Sequence, residues 1–150
     1  MSFSVNNYSQ IDKLWSIMPM IYAWTVVALS GYSSRGLLMA VLVTIWGVRL
    51  TYNFGRKGGY SWRFWTGEED YRWAVLRQNP LLASPVGWFL FNLFFISFYQ
   101  TFLILGFTLP MILIVEETPS SLVSLDHVAA FLMLSFILLE SLADNQQWAF

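Results

Sequence analysis

The 150-residue sequence contains no cysteine and a single histidine, His127. Without cysteine the chain cannot form a disulfide, use a thiolate as a nucleophile or bind a metal ion through sulfur. One histidine cannot build a His-rich metal centre either. These two shortages exclude thiol catalysis, and we expect no metal site.

Charged residues are also scarce, at 11% of the chain, whereas soluble domains carry roughly 25%. Hydrophobic residues make up 57%, and the mean hydropathy is +0.54. So few charges cannot cover a surface that faces water, and the net charge of -1 offers nothing to attract nucleic acid. The composition therefore predicts an integral membrane protein whose first partner is the lipid bilayer.

Four apolar runs are long enough to cross a bilayer, which takes about 20 helical residues. We predict an all-α, integral membrane helical bundle that forms a single domain over residues 1–150. About four transmembrane helices are expected, at 14–32, 36–54, 86–108 and 124–143. The third run continues to Val115, and Pro110 is expected to kink or end its helix.

The segment 55–85 differs because it is charged and contains the breakers Gly58-Gly59 and Asn79-Pro80. Thr66 and Glu69 fit a capping box, which predicts a short interfacial helix from Gly67 to Gln78. One basic residue falls on the opposite side of the predicted membrane, Arg35, and all others fall on the side of this loop: Lys13, Arg49, Arg56, Lys57, Arg63, Arg72 and Arg77. The positive-inside rule therefore places the loop and both termini in the cytoplasm.

Several polar residues lie inside the predicted spans. Trp46, Arg49, Asn53 and Arg56 are spaced three, four and three apart, so they share one helix face. This face either lines a cavity for an anion or cofactor, or is an ordinary interfacial cluster that ends the helix. In the third span Asn92, Tyr99 and Gln100 are expected to hydrogen-bond neighbouring helices.

The last predicted span carries a second polar face. Glu140, Asp144 and Gln147 are spaced four and three apart at its cytoplasmic end. A carboxylate inside a membrane needs a partner or a wet cavity, and Arg49 lies at a similar depth. The face is therefore either part of a polar pocket that opens to the cytoplasm, or a frayed helix end at the interface.

Three stretches together resemble a known family: Arg49–Tyr60, Gly67–Trp73, with the run Gly-Glu-Glu-Asp-Tyr-Arg-Trp, and Glu140–Trp148. They are similar to the DUF1295 branch of the steroid 5-alpha-reductase family. The resemblance implies a multispanning protein, in eukaryotes of the endoplasmic reticulum, that uses NADPH. Its relatives reduce a carbon–carbon double bond conjugated to a carbonyl in a hydrophobic lipid.

The same resemblance assigns residues. It implies that Arg49, Arg56, Lys57, Glu140 and Asp144 bind the cofactor, with Arg56 and Lys57 near its phosphates and adenosine. Glu140 departs from the steroid reductases, which carry an amide at that position.

For catalysis the resemblance points to Asp12 as the acid that polarises the substrate carbonyl. Trp46 falls where the steroid reductases place a carbonyl-binding tyrosine, so the substrate ketone would be held differently.

The resemblance covers the amino-terminal portion of the family's domain. The family continues with further helices and a motif like Arg-His-Pro-Asn-Tyr, which this sequence lacks. We therefore expect a reductase-like protein that is inactive alone. Two alternatives stay open, a non-enzymatic membrane scaffold that partners a longer relative, and a small transporter or channel.

Overall fold

A computed structural model describes residues 10–61, 69–117 and 121–149. Helices make up nearly all of these segments, which contain no strand, so the all-α prediction is confirmed. A π-helical segment, Asn92–Tyr99, joins two of the helices end to end. In chain order the α-helices are α1 (Gln10–Leu29), α2 (Ser34–Arg56), α3 (Tyr71–Arg77), α4 (Pro85–Phe91), α5 (Gln100–Glu117) and α6 (Ser124–Ala149).

Within the described residues three helical stretches are long and apolar enough to span a membrane: Ser34–Arg56, Pro85–Leu113 and Ser124–Ala149. The predicted count of four therefore holds only approximately. Helix α1 is 20 residues long but contains Asp12, Lys13 and Pro19, and it packs along α2 and α5. The basic loop still lies between two spans, so its predicted side of the membrane does not depend on α1.

Several predicted helix boundaries differ from the structure, and two of the differences have a clear physical reason. Pro110 lies inside α5, which continues through it to Glu117. Membrane helices tolerate proline because neighbouring groups satisfy the backbone that the ring frees. The loop helix begins at Tyr71, and its N-cap is Asp70, whose side chain accepts a hydrogen bond from the N–H of Arg72. The predicted cap Thr66 lies outside the described residues.

Close packing of α1 on α2 forms the centre of the bundle. Gly47 faces α1, and a Cβ there would lie 2.8 Å from both the Ser16 carbonyl oxygen and the Met20 side chain. Small residues let membrane helices approach in this way. Ala23 and Ala40 are fully buried in the same region, in one apolar cluster.

The third span changes its helical pitch where it passes α1. Residues 92–99 form π-type hydrogen bonds, which place buried Asn92 and Ile96 toward the bundle and leave Tyr99 exposed. Gln100 accepts a 3.0 Å hydrogen bond from the Trp15 indole of α1. The predicted bonding between helices is thus present at Gln100, whereas Tyr99 points away from the bundle.

Candidate functional site

A cleft of about 550 Å³ lies between α2 and α6, at the end of the bundle that carries the basic loop, and several polar side chains line it although most of its surface is apolar. Its size falls within the range of about 300–1,000 Å³ that is usual for small-molecule sites. The walls come from the second half of α2 and the last three turns of α6. They are Thr44, Ile45, Val48, Arg49, Tyr52, Asn53, Arg56, Ser141, Asp144 and Asn145.

Arg49 joins the two walls by ion pairs. Its Nη1 donates to Glu140 Oε2, and its Nη2 donates to Asp144 Oδ2 at 2.5 Å. The arginine and Asp144 side chains are 16% and 20% exposed, whereas Glu140 is 51% exposed. The predicted partnership between Arg49 and Glu140 is therefore present. It extends to Asp144 because residues four apart share a helix face.

Arg56 lies about two turns further along α2 and makes a different set of contacts. Its Nη1 donates to Asn145 Oδ1 at 2.8 Å, and its Nη2 donates to Asn53 Oδ1 at 2.9 Å. The guanidinium carbon lies 5.1 Å from the Tyr52 ring centre and 5.2 Å from that of Trp148. Two aromatic faces thus hold this cation in a fixed position at the mouth of the cleft.

The net charge of the helical residues around the cleft is zero, because Arg49 and Arg56 are matched in number by Glu140 and Asp144. Arg49 is committed to both carboxylates, whereas the described partners of Arg56 are neutral side chains. The Nε atoms of both arginines are buried, and neither has a hydrogen-bond partner among the described residues. Among the described residues, the cation at the mouth of the cleft is therefore paired with no carboxylate, and each arginine keeps one buried donor.

Lys57, the other predicted phosphate contact, is exposed at the carboxyl end of α2 and does not line the cleft. The turn that follows it contains Gly58 in the left-handed region, with φ at 77°. The lysine is the next residue after Arg56, so its charge adds to the positive potential at the mouth.

Asp12 lies away from the cleft. Its Oδ2 accepts a 3.3 Å hydrogen bond from the Trp73 indole of α3, and its Oδ1 lies 3.6 Å from Arg72 Nη2. The structure thus places the predicted catalytic acid where α1 meets the loop helix. Its predicted role stays untested, and its observed contacts are those that attach α3 to α1.

The loop helix is further stabilised by its own cap. Burial alone would raise the pKa of Asp70, but hydrogen bonds from the Arg72 side chain and N–H outweigh it, with help from the charge of Lys57. The pKa of Asp70 is therefore below its usual range. The hydrogen bond to Asp70 also raises the pKa of Arg72, against the opposing effect of burial.

Sequence spacing found part of this site. The prediction that Arg49, Asn53 and Arg56 share a face is confirmed, but Trp46 packs against the Phe107 ring of α5, with ring centres 5.7 Å apart. Gln147 is exposed and does not line the cleft.

The sequence reading missed Tyr52, Asn145 and Trp148 as contacts of Arg56. Ser141, Asn145 and Trp148 continue the helical face of Asp144 at spacings of four and three, and that periodicity could have revealed them.

Comparison with known proteins places the chain in a family. Its sequence matches the family described as protein of unknown function (DUF1295) over residues 1–150. It is 37% identical over 148 residues to an uncharacterized protein of Schizosaccharomyces pombe. The match covers 95% of this chain and 41% of that relative. No solved structure is significantly similar. The chain therefore belongs to the DUF1295 family.

Proposed function

We propose that the chain forms the cofactor-binding part of a membrane-embedded, NADPH-dependent reductase that acts on enone-type lipids, in the endoplasmic reticulum. The observation that carries this proposal is the α2–α6 cleft, which places two arginines in the wall of a largely apolar space. Three of the five residues that the family resemblance assigns to the cofactor, Arg49, Arg56 and Asp144, line the cleft, and a fourth, Glu140, is paired with Arg49.

The donor set fits a phosphorylated dinucleotide. Within the described part of the chain Arg56 contacts no carboxylate and its buried Nε has no hydrogen-bond partner, and Lys57 adds a second cation beside it. Arginine is the residue best suited to hold phosphate through several donors at once. The exposed rings of Tyr52 and Trp148 provide flat surfaces on which an aromatic base could stack.

NADPH, when bound, would supply the hydride, and the chain's own residues would hold and orient it. Arg49 would fix the inner wall, because the two carboxylates of α6 prevent its side chain from turning. The apolar neighbours Ile45 and Val48 would keep water from the inner end of the cleft. Asp12, the expected polarising acid, contacts α3 and does not line this cleft, so the cleft itself supplies the cofactor site and not the acid.

A second function is favoured by the same ion pairs. Both terminal nitrogens of Arg49 are already engaged by carboxylates, which is what a purely structural link between two helices requires. In that case the chain would be a non-enzymatic membrane scaffold, and the cleft would bind no nucleotide. The two functions differ in one respect, whether removing the Arg56 charge changes the affinity for NADPH.

The chain spans 41% of the length of its S. pombe relative, so the activity is best tested in a chimera. Residues 1–150 replace the matching segment of that relative, and the purified chimera is reconstituted in nanodiscs. NADPH oxidation is followed with a panel of enone lipids, with and without Arg56→Gln. Arg35→Gln is the matched control, because it removes the same charge from the other end of α2.

We expect turnover by the chimera and none by residues 1–150 alone. Arg56→Gln should raise the KM for NADPH about tenfold or more, because a charge-assisted bond contributes about 1.5–3 kcal/mol. The KM for NADPH should change less with Arg35→Gln. A chimera that folds but neither binds nor oxidises NADPH would leave the scaffold as the function.

A further inference from the structure

A second cavity, of about 310 Å³, lies at the opposite end of the bundle from the basic loop. It is enclosed by the first half of α2, the middle of α5 and the start of α6. Its walls are almost entirely apolar and include three methionines, Met39, Met111 and Met133. Methionine side chains adapt to the shape of a ligand more readily than branched ones.

One ion pair closes the outer end of this cavity. Arg35 Nη2 donates to Asp126 Oδ2 at 2.8 Å, and the two side chains are 12% and 16% exposed. Both residues line the cavity, and they link the amino-terminal turns of α2 and α6. Asp126 also accepts a hydrogen bond from the N–H of Val123, again on Oδ2.

This ion pair leaves one donor and one acceptor open. Arg35 Nε is buried and has no hydrogen-bond partner among the described residues. Both described hydrogen bonds to Asp126 fall on Oδ2, so Oδ1 can accept another. A carboxylate ligand would be repelled by Asp126 and an amine by Arg35, whereas a hydroxyl group can accept from the first atom and donate to the second.

From this geometry we propose that the cavity beside Arg35 binds a lipid with one terminal hydroxyl. The apolar body of the lipid lies between α2, α5 and α6, and its hydroxyl bonds to the Arg35–Asp126 pair. The methionine-rich walls suit the apolar body, and the buried open donor explains why a polar end is needed.

The cavity is separate from the α2–α6 cleft and does not depend on the proposed reductase activity. On α6 the cavity ends at Met133 and the cleft begins at Ser141. Ile137 lies midway on the same face and is the one buried residue of this helix in the described structure. Its side chain therefore stands between the two spaces.

Photolabelling can test the proposal on the purified chain in phosphatidylcholine nanodiscs. The probes are a long-chain primary alcohol that carries a diazirine, its methyl ether and the corresponding carboxylic acid. Peptide mapping then locates the label. Ala130→Leu fills the cavity without touching the ion pair, and Ala143→Leu makes the same change at an exposed α6 position that lines neither space.

We expect the alcohol to label peptides of the cavity wall about fivefold more than the ether or the acid, the gain of one hydrogen bond. Ala130→Leu should lower that labelling about fivefold, and Ala143→Leu should leave it unchanged. Arg35→Lys keeps the charge but loses the Nε donor, so it should reduce the alcohol to the level of the ether.

Equal labelling by the three probes would overturn the proposal, because the cavity would then hold any hydrocarbon chain. Labelling that survives Ala130→Leu would also overturn it, since the probe would lie outside the cavity. A thermal melt of each variant confirms that it is folded before it is labelled. None of these readouts uses NADPH, so failure here would leave the proposed reductase function untouched.

Discussion

The two ends of the α2–α6 interface use arginine in different ways. At the end beside the basic loop, Arg49 pairs with two carboxylates, and Arg56 is held by amides and aromatic rings. At the other end, Arg35 pairs with one carboxylate of the described residues, Asp126, beside an apolar cavity. Ion pairs thus link α2 and α6 at both ends. We call the end beside the basic loop the inner end and the Arg35 end the outer end. Among the described residues, the inner end carries more polar groups than an ion pair alone would need.

That surplus is informative because charge inside a membrane is expensive and is kept where it has a role. A single ion pair would join the helices as well at the inner end as at the outer one. The additional groups Arg56, Asn53 and Asn145 form a lining that a mere fastening does not need. The comparison therefore favours a binding function for the cleft, whereas the Arg35–Asp126 pair offers groups for one hydroxyl at most.

The largest expected effect comes from removing the inner arginine. Arg49→Ala leaves two carboxylates without their cation, and we expect it to lower the free energy of unfolding by about 3 kcal/mol, the lower end for a buried pair because Glu140 is half exposed. Arg35→Ala strands one carboxylate and should cost less. Unfolding in mixed micelles, followed by tryptophan fluorescence, measures both.

A triple variant provides the control for that result. Arg49→Met with Glu140→Gln and Asp144→Asn removes the three charges together, so no charge is left unpaired. Most of the lost stability should return. If Arg35→Ala proves as costly as Arg49→Ala, the contrast between the two ends would be wrong.

A smaller effect is expected at the close contact between α1 and α2, which lies between the two ends. Gly47→Ala would bring a methyl group to 2.8 Å from the Ser16 carbonyl oxygen, and the helices would have to separate. We expect a loss of about 1–3 kcal/mol, as for other overpacked sites. Gly106→Ala is the matched control, because a Cβ there meets nothing within 4 Å.

Thermal melts in detergent can compare these two glycine variants. Gly106→Ala should leave the stability unchanged or raise it by up to about 1 kcal/mol, since alanine favours a helix more than glycine does. Equal behaviour of the two variants would show that α1 does not press on α2 at Gly47. The position of the cleft relative to α1 would then need another explanation.

The smallest effect concerns the loop beside the inner end. Because the pKa of Asp70 is lowered on folding, its contribution is complete above the unfolded value of 3.8 and is lost as the pH falls through the lower, folded value. The Arg72 side chain is 57% exposed, so solvent screening limits the contribution of the pair to about 0.5 kcal/mol.

Asp70→Asn should therefore lower the melting temperature slightly at pH 7, and the difference should shrink as the pH falls below 3.8 and the native carboxyl takes up its proton. Melts of both proteins across this range measure the difference. A difference that grows toward low pH would mean that Asp70 is held in its protonated form.

Much of this structure could be predicted because lipid imposes strong rules on sequence. Long apolar runs gave the spans, and spacings of three and four gave the faces of Arg49, Arg56, Glu140 and Asp144. Pro110 misled the prediction because its cost depends on neighbours that a sequence does not show.

The cavity at Arg35 was also hidden. It depends on how far apart three helices pack, and spacing along one helix cannot report that distance. Asp126 forms an ion pair with a residue 91 positions earlier, and no local pattern in the sequence indicates that contact.

The most direct test of this account asks whether the two ends of the bundle face opposite sides of a membrane. The chain has no native cysteine, so single cysteines at Ala83, in the basic loop, and at Leu125, at the start of α6, can be labelled without background. In sealed microsomes with the cytosolic face outward, an impermeant maleimide should label Ala83→Cys directly and Leu125→Cys only after detergent is added. Equal labelling of both in intact vesicles, or the reverse pattern, would contradict the account.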